Sequence, residues 1–121
     1  MSAEDVAKAF VQHFYQTFDT NADGLAGLYQ PTSMLTFEGT QLQGSQNIMG
    51  KLKSVGSVKH TVKSLDIQPS SSNNAIIVFV TGSISIGGDN PLHFCEMFQL
   101  VSTGPGAYYV HNDVFRLNYG L

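Results

Sequence analysis

The sequence predicts a single α+β domain in which three helices cover one face of a curved, mainly antiparallel sheet. The chain has 121 residues and is 42% hydrophobic, which suffices for one core but is too short for two domains. Apolar residues recur at helical spacing near the start, whereas four later runs are rich in β-branched and aromatic side chains. Helices that precede a meander of strands pack on one face of it. We therefore treat residues 1–121 as one domain.

The first helix is the clearest element in the sequence. Ser2 is expected to cap it, and Asp5, three residues further on, completes the pattern of a capping box. Its apolar stripe recurs every four residues, at Val6, Phe10, Phe14 and Phe18. A short second helix is expected over Leu25–Tyr29, and Pro31 ends it.

A short strand and a third helix complete the first half of the chain. Ser33–Phe37 alternates in the manner of a strand, and Glu38–Thr40 has the composition of its turn. The third helix is expected to begin at Ser45, which serves as its cap. Its inward-facing residues are Ile48, Met49, Leu52 and Val55.

Four long strands follow, at Val58–Gln68, Ala75–Ile86, Leu92–Thr103 and Ala107–Tyr119. Clusters of turn residues separate the last three, which favours an antiparallel meander. Strands of this length twist, so the sheet is expected to curl, and Gly82 in mid-strand marks a bend or a bulge. A curled sheet closed by a long helix forms a cone whose open end is a pocket.

The last two strands carry apolar residues at both odd and even positions. A strand of this kind is usually buried on both faces, and the three helices of this chain can cover only one. We therefore predict that the other face binds a second copy of the chain by a twofold contact. The candidate interface residues are Phe98, Tyr109 and Val114.

Charge and composition exclude several classes of function. The formal net charge of −3 argues against a nucleic-acid binder, and no apolar stretch approaches the roughly 18 residues of a spanning helix. The acidic N-terminus is unlike a signal peptide, which predicts a soluble protein of a reducing compartment. Cys95 has no partner for a disulfide or a structural zinc site. We expect no metal and no cofactor.

Three segments of the sequence resemble the nuclear transport factor 2 family. They are Phe10–Tyr15, the stretch Met34–Gly39 with Leu42–Gly44 after it, and the closing motif Asn112–Tyr119. The match runs over nearly the whole chain, with the elements between these segments in the right order and length. It implies a small homodimeric carrier with a cone-shaped α+β fold.

The resemblance also implies the partners and their site. Family members bind the GDP form of the small GTPase Ran, make weak contacts with Phe-Gly repeats of nucleoporins, and return Ran to the nucleus. The chain is accordingly expected in cytoplasm and nucleus, enriched at the nuclear pore. An aromatic residue of the GTPase enters the family's pocket, and acidic residues on the rim pair with its basic residues. The positions that correspond here are Phe37, Glu38, Val55, Val58, Phe79, Val114 and Phe115, with Asp89 as a rim acid.

The chain departs from the family pattern at two places. The loop Gly87–Asn90 supplies one acid, Asp89, where relatives hold several, and Ser2–Asp5 lacks the aromatic residue that helps some members hold Phe-Gly repeats.

Two other functions stay open at this point. One is a small-molecule isomerase or dehydratase on the same fold, which would use His111 with Asp113, two residues apart on one strand, or a pocket Asp66. The other is a scaffold subunit that pairs with a different chain in messenger RNA export.

Overall fold

A computed structural model describes residues 2–118 as three helical segments and one six-stranded sheet. The helical segments are α1 (Ala3–Thr20), a 3₁₀ helix (Ala22–Leu28) and α2 (Ser45–Ser54). The strands are β1 (Tyr29–Phe37), β2 (Thr40–Gln43), β3 (Val58–Pro69), β4 (Ala75–Ile86), β5 (Leu92–Gly104) and β6 (Ala107–Asn118). The predicted α+β class is confirmed.

The sheet has the strand order β2-β1-β6-β5-β4-β3. Strands β3 to β6 form the predicted antiparallel meander, and their bounds agree with the sequence to within about one residue where they can be compared. Tyr119, the expected end of the last strand, lies outside the described residues. Two features were not predicted. The short strand β2 pairs with β1, and β1 runs parallel to β6 at the far end of the chain.

The capping box of α1 is confirmed. The Ser2 hydroxyl accepts a hydrogen bond from the Asp5 N–H at 3.1 Å, and the Asp5 carboxylate accepts one from the Ser2 N–H at 3.4 Å. These two bonds satisfy N–H groups that a helix start otherwise leaves unpaired. The apolar stripe of α1 packs on the sheet, where the ring centroids of Phe14 and Phe98 lie 4.9 Å apart.

Two helix predictions need correction. The second helical segment is a 3₁₀ helix that ends at Leu28, and Tyr29 already belongs to β1. Pro31 does not end a helix but lies within β1, where the pairing with β6 is irregular and its missing N–H is tolerated. The cap of α2 is Gly44, with a positive φ of 88°, and Ser45 is the first helical residue.

The expected irregularity at Gly82 is present. A Cβ atom added to Gly82 would lie 2.1 Å from the carbonyl oxygen of Thr61 on β3. The β3–β4 register shifts beside it, between Val62 and Ser64. The lack of a side chain at Gly82 thus allows β3 to cross closely and the sheet to bend.

The helices cover one face of the sheet, the core face, and no described element of the chain covers the other, the open face. Along β4 the two faces alternate, because Val78 and Val80 are buried whereas Phe79 is 39% exposed. Phe98 belongs to the core face, is fully buried and contacts the aromatic rings of α1. Its prediction as an interface residue is therefore wrong. Tyr109 and Val114 do lie on the open face, and their interface role stays a prediction.

Candidate binding site at one end of the sheet

One end of the sheet brings together four segments that are distant in sequence. These are the β1–β2 turn, the connection from α2 to β3, the β4–β5 turn and the last residues of β6. Val58 pairs with Ile86 just before the β4–β5 turn, and Phe37 pairs with Phe115 near the end of β6. Six of the predicted site residues lie at this end: Phe37, Glu38, Val55, Val58, Asp89 and Phe115.

An aromatic stack leads from the edge of this end into the core. Phe37, which is half-buried, stacks on Phe115 with ring centroids 4.6 Å apart and planes tilted by 16°. Phe115 in turn stacks on Phe94 at 5.7 Å. The Lys51 ammonium lies 5.1 Å from the centre of the Phe37 ring, a cation–π distance. Val55 and Val58 pack into the same core, so the floor of this site is apolar.

Glu38 is held in place by the end of β6. Its backbone is left-handed, with φ of 51°, and its N–H donates to the Phe115 carbonyl at 3.0 Å. Its side-chain oxygen Oε1 accepts a hydrogen bond from the Leu117 N–H. The carboxylate thus continues the β1–β6 ladder by one step. The resemblance placed Glu38 on the rim, but no sequence pattern indicated this bond across 79 positions.

Asp89 lies exposed in the β4–β5 turn. Its N–H donates to the Ile86 carbonyl at 3.1 Å, and its own carbonyl accepts from the Ser85 hydroxyl at 2.5 Å. Both backbone polar groups of Asp89 are therefore hydrogen-bonded within the turn. Its carboxylate adds negative charge at the same end of the sheet as Glu38.

Phe79 and Val114 do not line this site. Both lie on the open face, 39% and 36% exposed, while their neighbours Val80 and Phe115 lie on the core face. Consecutive residues of a strand point to opposite faces, so Val114 and Phe115 cannot line one pocket. The prediction that they belong to the pocket with Phe37 is wrong for these two residues.

Phe79 and Val114 instead form part of an apolar surface on the open face. Met97 on β5 pairs with Phe79 on one side and with Val114 on the other, so the three lie in one row across the sheet. We define the open-face patch as Ile77, Phe79, Met97, Val101, Tyr109 and Val114. A hydrogen bond of 2.7 Å from Gln99 Nε2 to Asn112 Oδ1 crosses it.

The catalytic groups expected of an isomerase or dehydratase do not lie together in the structure. Asp113 is buried on the core face and accepts the Tyr29 hydroxyl at 2.8 Å. The register shift next to His111 breaks the expected regular spacing, and His111 Nδ1 is buried without a partner among residues 2–118. Asp66 is exposed on the edge strand β3 and pairs with Phe79, so it lies on the open face, away from the buried Asp113.

A buried cluster of four hydroxyl and carboxyl groups was missed by the sequence reasoning. Tyr15 on α1 donates to Glu96 Oε1 at 2.8 Å, as Tyr29 does to Asp113. Burial, followed by the nearby carboxyl groups, raises the pKa of both tyrosines. Burial also raises the pKa of Asp113 to about 6, and burial together with Asp113 raises that of Glu96 well above its usual range. The available signal was a glutamate in the middle of an apolar strand.

A second polar contact joins the end of α1 to β3. Asp19 accepts the His60 backbone N–H at 2.8 Å, and its other oxygen lies 2.6 Å from His60 Nδ1. The imidazole side chain is 1% exposed and packs against Tyr15, Phe18 and Phe94. Burial lowers the pKa of His60, while Asp19 opposes that shift.

Residues 2–118 contain no group of three or more His, Cys, Asp or Glu side chains placed to hold a metal ion. Within the same residues, no helix is both long and apolar enough to cross a membrane.

The fold and this site define a small binding domain of the cone-shaped α+β class, whose open face is not covered by any described element of the chain. The same fold occurs in the yeast UBP3-associated protein BRE5, which is 24% identical, with a TM-score of 0.89 and 99% of each chain covered. At that identity the likeness concerns the fold alone.

Closer similarity defines the family. The family model described as "Nuclear transport factor 2 (NTF2) domain" matches residues 6–117. Nuclear transport factor 2 of Oryza sativa subsp. japonica is 52% identical, covering 99% of this chain and all of that protein, and nuclear transport factor 2B of Arabidopsis thaliana is 50% identical, covering 98% and 97%. The structure of nuclear transport factor 2 from Cryptosporidium parvum is 47% identical and has a TM-score of 0.88 over 95% of this chain and 94% of that one. The chain belongs to the nuclear transport factor 2 family, and its role is in nuclear transport and protein import.

Proposed function

We propose that the protein is a non-enzymatic carrier that binds the GDP form of Ran at the end of the sheet described above. It acts as a homodimer, shuttles between cytoplasm and nucleus, and concentrates at the nuclear pore through weak contacts with Phe-Gly nucleoporins. Family membership supports the transport role. Binding of Ran-GDP is argued from the geometry of the site.

The observation that carries the proposal is the position of Glu38 beside the stacked rings of Phe37 and Phe115. A buried aromatic residue is the usual hot spot of a modest protein interface, and an apolar floor with acids at its rim fits an aromatic anchor flanked by basic residues. Glu38 and Asp89 supply those acids. The bond from Leu117 holds the Glu38 carboxylate in one place before a partner arrives, which reduces the ordering cost of binding.

An enzyme on the same fold would need ionisable groups that converge where a substrate can reach them. Glu96 and Asp113 are 4% and 1% exposed, so they do not meet this need. A scaffold subunit that pairs with a different chain would use the open face, and the oligomeric state of the purified protein separates that function from the proposed carrier.

Calorimetry with Ran loaded with GDP or with GTP tests the proposal. We expect binding to the GDP form only, and we expect Glu38→Lys to abolish it, because a like-charge contact at a partly desolvated interface costs several kcal/mol. Glu38→Gln keeps an oxygen for the Leu117 N–H and removes only the charge, so it should weaken binding roughly tenfold without loosening the fold. Asp89→Asn should matter less, since its carboxylate is exposed.

Glu4→Gln is the matched control, because it removes one exposed acid from α1, which is not part of the site. It should bind like the wild type. Wild-type affinity in Glu38→Lys would show that the assigned site is wrong. Titration of the same proteins with a Phe-Gly repeat peptide should give micromolar or weaker binding, about −8 kcal/mol or less in magnitude, that Glu38→Lys leaves unchanged.

A further inference from the structure

Two carboxyl groups lie side by side in the core, away from the proposed site. Glu96 on β5 and Asp113 on β6 are diagonal neighbours on the core face, because Glu96 pairs with Phe115 and Phe98 pairs with Asp113. Both side chains are almost completely buried, with 4% of Glu96 and 1% of Asp113 exposed. Two carboxylates buried at neighbouring positions of one sheet face repel each other strongly.

The hydrogen bonds around the pair leave one position unfilled. Tyr15 donates to Glu96 Oε1, and Tyr29 donates to Asp113 Oδ2, each at 2.8 Å. Asp113 Oδ1 is buried and has no donor among the side chains and backbone groups of residues 2–118. Neither tyrosine can supply a second proton. A proton carried by Glu96 is the donor that this oxygen lacks.

We propose that Glu96 and Asp113 share one proton in the folded protein at neutral pH, and that the chain takes up this proton when it folds. Glu96 is the acid and donates from its remaining oxygen to Asp113 Oδ1, and Asp113 is the carboxylate. The Asp113 anion then accepts two O–H groups, from Glu96 and from Tyr29.

Among the residues that the structure describes, no cation lies beside the pair to replace the proton. The titratable groups that face the pair are Tyr15 from α1 and Tyr29 from β1, whereas Cys95, next to Glu96 on β5, points to the open face. None of these three supplies a cation. His60 from β3 contacts Tyr15, and burial lowers its pKa, which favours the neutral ring. Asp19, on the far side of His60, is a further acid.

The shared proton links stability to pH. In the unfolded chain both carboxyl groups lose their protons near pH 4. In the folded chain Asp113 has a pKa of about 6, and that of Glu96 is raised well above its usual range. The folded state therefore binds more protons than the unfolded state, so stability falls as pH rises from about 4 until Glu96 ionises. This dependence of stability on pH is expected whichever partner the protein binds.

Urea unfolding of the wild type and of Glu96→Gln between pH 6.5 and 8 tests the proposal. The wild-type unfolding constant should rise roughly tenfold per pH unit, because one proton is lost on unfolding. In Glu96→Gln the amide N–H replaces the acid proton as donor to Asp113, and the amide oxygen still accepts from Tyr15. Its unfolding constant should not rise over this range, because the shared proton is absent, and it should be the more stable protein at pH 8.

Glu4→Gln, which removes an exposed acid, should keep the wild-type slope. A direct measurement covers the case in which Glu96→Gln does not fold. The carboxyl carbon of Glu96, observed by ¹³C NMR in the wild type, should have the chemical shift of a protonated acid at pH 7. An ionised Glu96 at pH 7, or equal slopes in the wild type and Glu96→Gln, would overturn the proposal.

Discussion

His60 shows how one side chain connects two elements. Its ring is enclosed by aromatic residues of α1 and β5, and its Nδ1 and backbone N–H both face the Asp19 carboxylate. Burial disfavours the charged ring, whereas the carboxylate favours it, and burial is the larger effect. The neutral imidazole with its proton on Nδ1 is therefore the form that joins the end of α1 to β3.

We predict that His60 titrates below its ordinary value of 6.5 in an NMR pH titration. The unfolded chain then takes up a proton before the folded one, so this residue contributes stability that is present above pH 6.5 and is lost as pH falls below it. Asp19→Asn should lower the pKa of His60 further, because it removes the charge that opposes burial. A His60 midpoint above 6.5 would contradict the prediction.

The two prominent acids of the molecule illustrate what a sequence reveals about single residues. The sequence motif pointed to Glu38, which lies in the β1–β2 turn, and its role in binding stays a prediction. Its bond to Leu117 depends on the parallel pairing of β1 with β6, which no local pattern encodes. Glu96 was overlooked because an isolated acid in a strand is usually exposed, and its partner lies on the next strand.

At the scale of elements, the contact between β3 and β4 depends on one glycine. Gly82 faces both the Thr61 carbonyl oxygen, 2.1 Å from an added Cβ, and the ring of Phe94, 3.2 Å away. Neither neighbour is a flexible side-chain end, since one is backbone and the other is a buried ring. The bend of β3 over the end of α1 therefore has little tolerance for a larger residue.

We predict that Gly82→Ala destabilises the protein by about 3 kcal/mol, because overpacking forces two strands apart. Gly50→Ala is the control, for which we expect the opposite effect on stability. Gly50 lies exposed within α2, and an added Cβ there meets no atom within 4 Å. That variant should gain up to about 1 kcal/mol from helix propensity. Urea unfolding of both proteins measures the two values, and equal effects would show that the close approach at Gly82 is unimportant.

The helices and strands differed in how well their bounds and faces could be predicted from the sequence. Helix α1 and the strands of the meander were predictable because their caps, turns and periodicity are local. Strand β1 was predicted too short, since Pro31 indicated a break and its partner β6 is remote. The faces of β4 and β6 were misassigned at Phe79 and Val114. Where consecutive positions are both apolar, as at Phe79–Val80 and Val114–Phe115, alternation is lost locally, and only pairing with neighbouring strands decides which side chain points inward.

At the scale of the whole molecule, the open-face patch is the feature that a lone protomer leaves unexplained. Its residues come from three adjacent strands, and Phe79, Met97 and Val114 form a continuous row. The hydrogen-bonded pair of Gln99 and Asn112 lies in the next row. An apolar surface with an ordered polar crossing resembles the composition of protein interfaces.

We predict that the protein is a dimer at micromolar concentration and that Phe79→Glu separates it into folded monomers. An unpaired charge in a buried interface costs several kcal/mol, which corresponds to at least about a hundredfold rise in the dimer dissociation constant. Phe79 is already 39% exposed in the protomer, so the fold itself should tolerate the change. Gln12→Glu, which adds the same charge on exposed α1, should stay dimeric. Analytical ultracentrifugation distinguishes these outcomes, and a monomeric wild type would refute the prediction.

The parallel pairing of β1 with β6 has a consequence for how the chain reaches its native state. Leu35 and Asp113 are register partners 78 positions apart, and within residues 2–118 β6 is the one strand that pairs with the hairpin of β1 and β2. A two-stranded hairpin is marginal by itself, so β1 and β2 must wait for the last strand of the chain. Contacts this distant in sequence slow folding. During synthesis the acid at the β1–β2 turn cannot take its final position until the ribosome has released β6.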